Sequence, residues 1–220
     1  MEYRKLPHGR EEISVIGLGT SSLAANGEKA GAQAVAYALE NGVNYIDMAS
    51  GEAGAFPAVG EGMAGSRKKV YLQVHFGADY TTGKYGWTTK LEDIKRSIHW
   101  QLEQLKTDYI DFGFIHCIDE LVDWKSYVEG GALAYIKTLK EQGVVRHVGL
   151  STHTPEVAGL VLDTGILDML MFSINPGYDF ERGGEFAIGS AGQRLELYRR
   201  CEREGVGISV MKSFSGGQLL

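Results

Sequence analysis

Tyr109-Ile110-Asp111-Phe112-Gly113-Phe114-Ile115-His116-Cys117 is the stretch on which the reading of this chain turns. Its apolar run is too short for a helix of its own and is rich in aromatics and Ile, so it reads as a buried strand. The run stops abruptly at His116, and acidic residues follow at Asp119, Glu120 and Asp123. A titratable residue at the carboxyl end of a buried parallel strand is where α/β folds place reacting groups. Working outward, other apolar runs in the chain end in the same way.

The chain repeats one phrase three times: a helical pattern stops at Gly-Val and turns directly into a strand, at Gly42-Val43, Gly143-Val144 and Gly205-Val206. Glycine just past a helix end takes the left-handed conformation cheaply, and Val opens the next strand. The intervals correspond to whole units of a little over ~30 residues, the length of one βα unit. Strands are expected near 15–19, 44–47, 69–75, 109–116, 145–151, 168–174 and 206–212. Helices are expected near 29–41, 53–65, 90–106, 131–142, 155–164 and 191–204. A capping box at Thr89–Glu92 opens the third of these helices. Residues 2–16 read as a hairpin turning at Pro7–Arg10.

Three stretches are too long for plain connectors: 76–89 (with Tyr80, Tyr85 and Trp87), 117–130 and 175–190. All follow a strand, so they gather at one end of the fold as candidate lids. Gly17-Leu18-Gly19-Thr20-Ser21-Ser22 lacks the third glycine of a dinucleotide fingerprint. The expected fold is therefore α/β, a (β/α)8 TIM-type barrel with an N-terminal hairpin, as one domain over 1–220. It is incomplete here, with about seven of the eight strands, because the last strand ends close to Leu220. An unpaired edge on such a barrel is adhesive, so self-association is open.

Composition narrows the functional classes. A net charge of −6 without a long basic run argues against a nucleic-acid partner. No apolar run approaches the roughly 20 residues of a membrane helix, and no signal-peptide layout opens the chain. Cys117 and Cys201 show no ligand spacing and read as reduced thiols of a cytoplasmic protein. The predicted strand ends are Thr20, Asp47, His75, His116, Ser151 with His153, Asn175 and Lys212. Each comes from a different strand and all face one mouth, so together they form a candidate site. A metal-dependent hydrolase using Asp47, His75, His116 and His153 is one reading of these residues.

Five phrases resemble the aldo-keto reductase family: Ile16-Gly17-Leu18-Gly19-Thr20, Gly42-Val43-Asn44-Tyr45-Ile46-Asp47, Asp108-Tyr109-Ile110-Asp111 running to Ile115-His116, Val148-Gly149-Leu150-Ser151, and Gly216-Gly217-Gln218-Leu219. Tyr3-Arg4-Lys5-Leu6 and the Gly-Gly ending are most similar to the bacterial branch that often carries an iron–sulfur tail, for which this chain has no cysteines. The resemblance implies a barrel that reduces a small-molecule carbonyl with NADPH or NADH. It matches the family's Asp to Asp47 and its carbonyl-orienting His to His116. The family's Tyr falls at Glu52 and its Lys at His75, so the proton donor is rebuilt, with His75 its leading member beside His116, and with Glu52 (if burial raises its pKa) and Tyr80 or Tyr85, assisted by Lys212, as further candidates. The family's nicotinamide Gln is missing near Met171, and Asn175 is the nearest polar residue. The implied cofactor contacts are Thr20, Asp47, Ser151, Asn175, Lys212, Ser213, Phe214 and Gly216, while the adenosine-phosphate segment is expected beyond Leu220. A reductase-like barrel that binds nucleotide without turnover is the remaining alternative.

Overall fold

The computed structural model describes residues 1–179, 188–217 and 219. A hairpin of β1 (Tyr3–Lys5) and β2 (Glu12–Ser14) precedes β3 (Leu18–Gly19), α1 (Glu28–Glu40), β4 (Tyr45–Asp47), α2 (Ala55–Gly62) and β5 (Tyr71–Phe76). A small ribbon, β6 (Ala78–Asp79) and β7 (Gly86–Trp87), leads into α3 (Leu91–Gln104), β8 (Ile110–Ile115), α4 (Leu121–Glu129), α5 (Ala132–Glu141) and β9 (Val145–Ser151). The chain continues through α6 (Pro155–Leu162), β10 (Met169–Ser173), the single turn α7 (Pro176–Asp179), α8 (Ala191–Glu204) and β11 (Gly207–Met211). The main sheet has seven strands in the order β11-β10-β9-β8-β5-β4-β3, and each pair runs parallel. This is the curled sheet of an incomplete α/β barrel.

The Gly-Val phrase sets the spacing of the units. After α1, Gly42 N–H bonds to Leu39 O and Val43 N–H to Ala38 O, at 3.0 Å each. Val144 N–H to Leu139 O (2.9 Å) and Val206 N–H to Cys201 O (2.8 Å) repeat the longer of these bonds after α5 and α8. The glycines have φ of 86°, 75° and 70°, as this double closure of a helix end requires. α3 ends with the same bonds, although Lys106 takes the left-handed position at φ 54°.

Strand alternation sorts the core into two layers. Ile46, Leu72, Val74, Leu170 and Phe172 face outward under the helices. Tyr45, Phe112, Phe114, Met169 and Met171 fill the interior, and Leu6 and Ile13 of the hairpin close its floor. Asn44 stitches the hairpin to β4, accepting from Ser14 N–H (2.8 Å) and donating to Glu12 O (2.8 Å). Asp111 is an anchor on the floor rather than a reacting group. Its carboxylate bonds Arg67 and Arg146, each at 2.8 Å, and accepts from Leu72 N–H at 3.1 Å.

Several details depart from the sequence reading. The first strand is shorter than expected. Val15 and Ile16 are exposed and lie outside β3, which among the described residues is bonded to β4 alone. Stretch 76–89 contains the β6–β7 ribbon, and 117–130 contains α4. Thr89 makes no capping box; Lys90 is the N-cap of α3, and Thr88 Oγ1 accepts from Lys90 N–H at 3.1 Å. A capping box does form at Ser190 and Gln193, opening α8. Of the candidate lid 175–190, residues 180–187 lie outside the described residues, as do Gln218 and Leu220.

Two outcomes test this packing. A Cβ built on Gly149 would meet the Phe114 ring at 2.4 Å. Gly149→Ala is therefore expected to lower the unfolding free energy by about 1–3 kcal/mol, read from the urea midpoint. The second concerns the floor, where His147 lies 3.0 Å from Glu11 and 3.7 Å from Asp168. Burial works against its cation, but hydrogen bonds to Asp168 and Glu11 raise its pKa above 6.5. That stabilisation is complete below 6.5 and is lost as pH rises through the raised value. Burial likewise opposes ionisation of Asp168 and Glu11, yet bonds to His147 bring Asp168 down to about 2 and lower Glu11, so their contribution is lost only as pH falls toward those values. His147→Gln is expected to make the fall in Tm from pH 6.5 upward less steep than in the unsubstituted protein.

Candidate active site at the carboxyl ends of the strands

β4 ends in Asp47, β5 carries Gln73 and His75 on its interior face, and β8 delivers His116 one residue past its end. The register sets Asp47 opposite Gln73 and His75 opposite Phe114. Asp47 Oδ1 accepts from Ala49 N–H at 3.1 Å, from Gln73 Nε2 at 2.9 Å and from His75 Nε2 at 2.7 Å. His75 Nδ1 meets His116 Nδ1 at 2.8 Å, and His116 Nε2 meets the Tyr85 hydroxyl at 3.0 Å. At the inner end the Tyr45 hydroxyl donates to Gln73 Oε1.

An ionised carboxylate only accepts, which fixes the direction of each bond. His75 donates from Nε2, so its Nδ1 is bare and receives the proton of His116 Nδ1. His116 Nε2 is then bare and receives the Tyr85 hydroxyl. Gln73 Nε2 and His75 Nε2 lie 2.8 Å apart because both reach for the same oxygen. Burial, followed by neighbouring His75, holds the His116 pKa well below 6.5. Both rings are buried, whereas the Asp47 side chain is 21% exposed.

The ribbon loop covers this mouth. Trp87 Nε1 donates to His116 O at 3.1 Å, and the buried Tyr80 hydroxyl donates to Ser50 O at 2.9 Å. Burial, with Cys117 and Asp119 nearby, pushes the Tyr85 phenol up to about 12. Tyr85, not Tyr80, thus reaches the histidines. Lys212 does not accompany it; its Nζ lies 2.9 Å from His153 Nε2. Glu52 is partly buried at the rim, its backbone bridged to Lys84, and among the described residues no hydrogen bond joins its carboxylate to Asp47 or either ring.

A second polar line lies alongside. His153 Nδ1 bonds Asp119 at 2.9 Å, and Asp119 also accepts from His153 N–H at 2.6 Å and from Thr152 Oγ1 at 2.9 Å. Burial opposes the Asp119 charge, but the His153 bonds hold its pKa below the ordinary value. Burial lowers Lys212 and raises the Cys117 thiol to about 11. Asp47, His75 and His116 bond one another in sequence, and His153 pairs with Asp119. Among the described residues no group of three His, Cys, Asp or Glu side chains converges as a ligand set for a metal.

The other expected cofactor residues differ in what they leave available. Thr20 Oγ1 donates to Asp47 O at 2.8 Å and braces β3 against β4. Asn175 is committed at both ends of its amide, donating to Lys212 O at 2.9 Å and accepting from Tyr178 N–H at 3.0 Å. Ser151 Oγ has the Cys117 thiol at 3.9 Å, and Ser213, Phe214 and Gly216 are exposed after β11. The sequence reading missed Ser173, whose fully buried hydroxyl has no partner among the described residues. It also missed Gln73, whose signal is a lone amide two residues before His75 on the same face of the strand. Between the edge strands β3 and β11 is a cleft of about 760 Å³, lined in part by Ser21, Asp47, Met171, Ser209, Met211 and Lys212.

Residues 15–220 match the model of the Aldo/keto reductase family, and the chain belongs to that family. It is 31% identical over 163 residues to the uncharacterized oxidoreductase YqkF of Bacillus subtilis, covering 71% of this chain and 51% of that protein. It is 28% identical over 205 residues to the aldo-keto reductase YhdN of the same organism, covering 86% of this chain and 57% of that one. The chain therefore spans about half the length of these curated relatives. Aldo-keto reductase AKR11C1 from Bacillus halodurans, in its holo form, has the same fold, with a TM-score of 0.75 and 23% identity over 96% of this chain and 65% of that one.

The carboxylate that orients this site can be tested directly. Asp47→Ala leaves Gln73, His75 and Ala49 donors without their acceptor. It is expected to lower the unfolding free energy by about 1–3 kcal/mol, measured by urea titration. Asp47→Asn keeps an acceptor and is expected to lose less.

Proposed function

We propose that this member of the family is an oxidoreductase that interconverts a small-molecule carbonyl and its alcohol with NADPH or NADH, working in the cytoplasm with a rebuilt proton donor. The observation that carries the reading is the bonded unit Asp47–His75–His116 at the strand ends, with Asp47 opening on the cleft. Reducing a carbonyl requires a proton for the oxygen as well as an electron pair for the carbon, and two hydrogen-bonded imidazoles ending on a carboxylate provide groups that can accept and pass a proton.

The residues fit a nicotinamide cofactor. Ser173 Oγ is buried without a partner, and Ser151 Oγ has only a distant thiol, so neighbouring strands β10 and β9 both offer hydroxyls to a carboxamide. The Lys212–Gly217 loop has positive φ at Lys212, Ser215, Gly216 and Gly217, a backbone of the kind that presents N–H groups to anions. Ser151, Ser173, Lys212, Ser213, Phe214 and Gly216 would hold the cofactor, with Asp47 beside them. Thr20 and Asn175 would support these positions through the backbone they brace. When bound, the reduced nicotinamide supplies the hydride equivalent that the carbonyl carbon accepts. Asp47, His75 and His116 manage the proton, and the buried rings exclude water from that path. Glu52, at the rim, completes the proposed catalytic set.

The test combines binding with turnover. NADPH or NADH is expected to quench intrinsic fluorescence, and a panel of aldehydes and quinones is expected to oxidise it. Replacing His75 and His116 together by Gln is expected to lower kcat on the order of 10²-fold or more, with cofactor affinity nearly kept. Cofactor binding without turnover across the panel would instead favour a nucleotide-binding protein that has lost its chemistry. Unchanged turnover in the double variant would remove both histidines from the mechanism.

A further inference from the structure

The hydrogen bonds at the strand ends do more than position Asp47. They form an unbroken line with two wet ends and a dry middle. At one end Asp47 opens on the cleft with 21% of its side chain exposed. At the other Tyr85 is 45% exposed, and its bond to His116 is part-buried. Between them His75 and His116 are buried, and the three joining bonds measure 2.7, 2.8 and 3.0 Å.

We propose that Tyr85 is the solvent-side terminus of a proton wire, Tyr85–His116–His75–Asp47, that exchanges protons between bulk water and the cleft. The proposal rests on the preceding reading only for the destination of the proton, a substrate oxygen.

The resting bonds all point inward, so one concerted shift suffices. The Tyr85 O–H bond breaks as His116 Nε2–H forms. The His116 Nδ1–H bond breaks as His75 Nδ1–H forms, and the His75 Nε2–H bond breaks as Asp47 Oδ1–H forms. Water at the surface returns a proton to the Tyr85 oxygen. The Asp47 carboxyl then gives its proton to the oxygen left negative when the carbonyl carbon is reduced, leaving both imidazoles in the opposite tautomer. After the product leaves, a proton taken up by Asp47 from water in the cleft runs the line outward and restores the resting bonds, so the net change is one proton moved from water to product. Alcohol oxidation runs the same transfers in reverse. Neither His116 nor Tyr85 is suited to storing charge. Burial and neighbouring His75 keep His116 neutral, and burial keeps the Tyr85 phenol protonated at up to about 12. Each therefore passes a proton along rather than holding one. Tyr85 acts through the histidines and is a relay residue, distinct from groups that touch the substrate.

Tyr85→Phe removes the hydroxyl and keeps the ring, with Trp87→Phe as the control. The control loses the bond to His116 O that anchors the same loop but retains the Tyr85 hydroxyl. Two readouts are used, of which the first needs no turnover. In ¹⁵N-resolved NMR of the cofactor-free protein, His116 is expected to show a protonated Nδ1 and a bare Nε2. In Tyr85→Phe, solvent exchange of the His75 and His116 ring protons is expected to slow on the order of tenfold or more. In steady-state reduction with NADPH, Tyr85→Phe is expected to lose kcat by about 10–10²-fold with KM nearly kept, and millimolar imidazole is expected to restore it, since a mobile carrier replaces a missing relay. Ring protons that exchange equally fast in Tyr85→Phe, or a kcat loss that imidazole does not restore and that Trp87→Phe shares, would overturn the wire. Absence of turnover in the unsubstituted protein would count against the reductase reading alone, and the exchange measurement would still decide the wire.

Discussion

A carboxylate inside a barrel must be surrounded by donors, and most of what is distinctive about this molecule follows from that requirement at Asp47. Its Oδ1 gathers a backbone N–H, an amide and an imidazole. Leaving such a group unsatisfied in a dry interior costs more than any single hydrogen bond contributes. The demand propagates: Gln73 faces inward to serve Asp47 and in turn accepts the Tyr45 hydroxyl, while His75 serves Asp47 and in turn accepts from His116. A polar column therefore runs through an interior otherwise filled by Phe112, Phe114, Met169 and Met171. One ionised group orders every tautomer above it.

The residues around the column divide by which hydrogen-bonding capacity remains uncommitted. Thr20 and Asn175 give their side chains to the backbone of neighbouring strand ends. Asp111, within one of the phrases that carry the family resemblance, ties together the opposite end of the barrel through two guanidinium groups. Ser151 and Ser173 are different: the buried Ser173 hydroxyl has no partner among the described residues, and Ser151 Oγ has the Cys117 thiol at 3.9 Å. Bracing the strand ends and keeping a hydroxyl uncommitted are thus separate roles, held by different polar residues.

Much of this was legible in the chain. The Gly-Val phrase marks the junctions of α1, α5 and α8 with the strands that follow, because the left-handed closure depends on a local sequence of two residues. Strand ends were legible for the same reason: an apolar run that stops at His116 or Asp47 states its own boundary. What was hidden depends on partners distant in sequence. Tyr80 and Tyr85 are equivalent residues in one loop, yet one donates to Ser50 O and the other reaches His116, a difference set by how the β6–β7 ribbon folds back. The sequence makes Lys212 a partner for a phenol, whereas its Nζ lies 2.9 Å from His153 Nε2. The capping pattern at Thr89 is a valid one, but the helix starts one residue later with Lys90 as its N-cap, and Thr88 Oγ1 accepts from Lys90 N–H. The pattern states which group can bond, while its direction comes from packing.

The hairpin ties together strands that stand far apart in the chain. Asp47 and Lys212 line the same cleft, and among the described residues no ladder joins β3 to β11. At the base, Leu6 and Pro7 lie against Gly207, while Asn44 beside β4 accepts from Ser14 N–H and donates to Glu12 O. One short ribbon thus braces the floor from both sides.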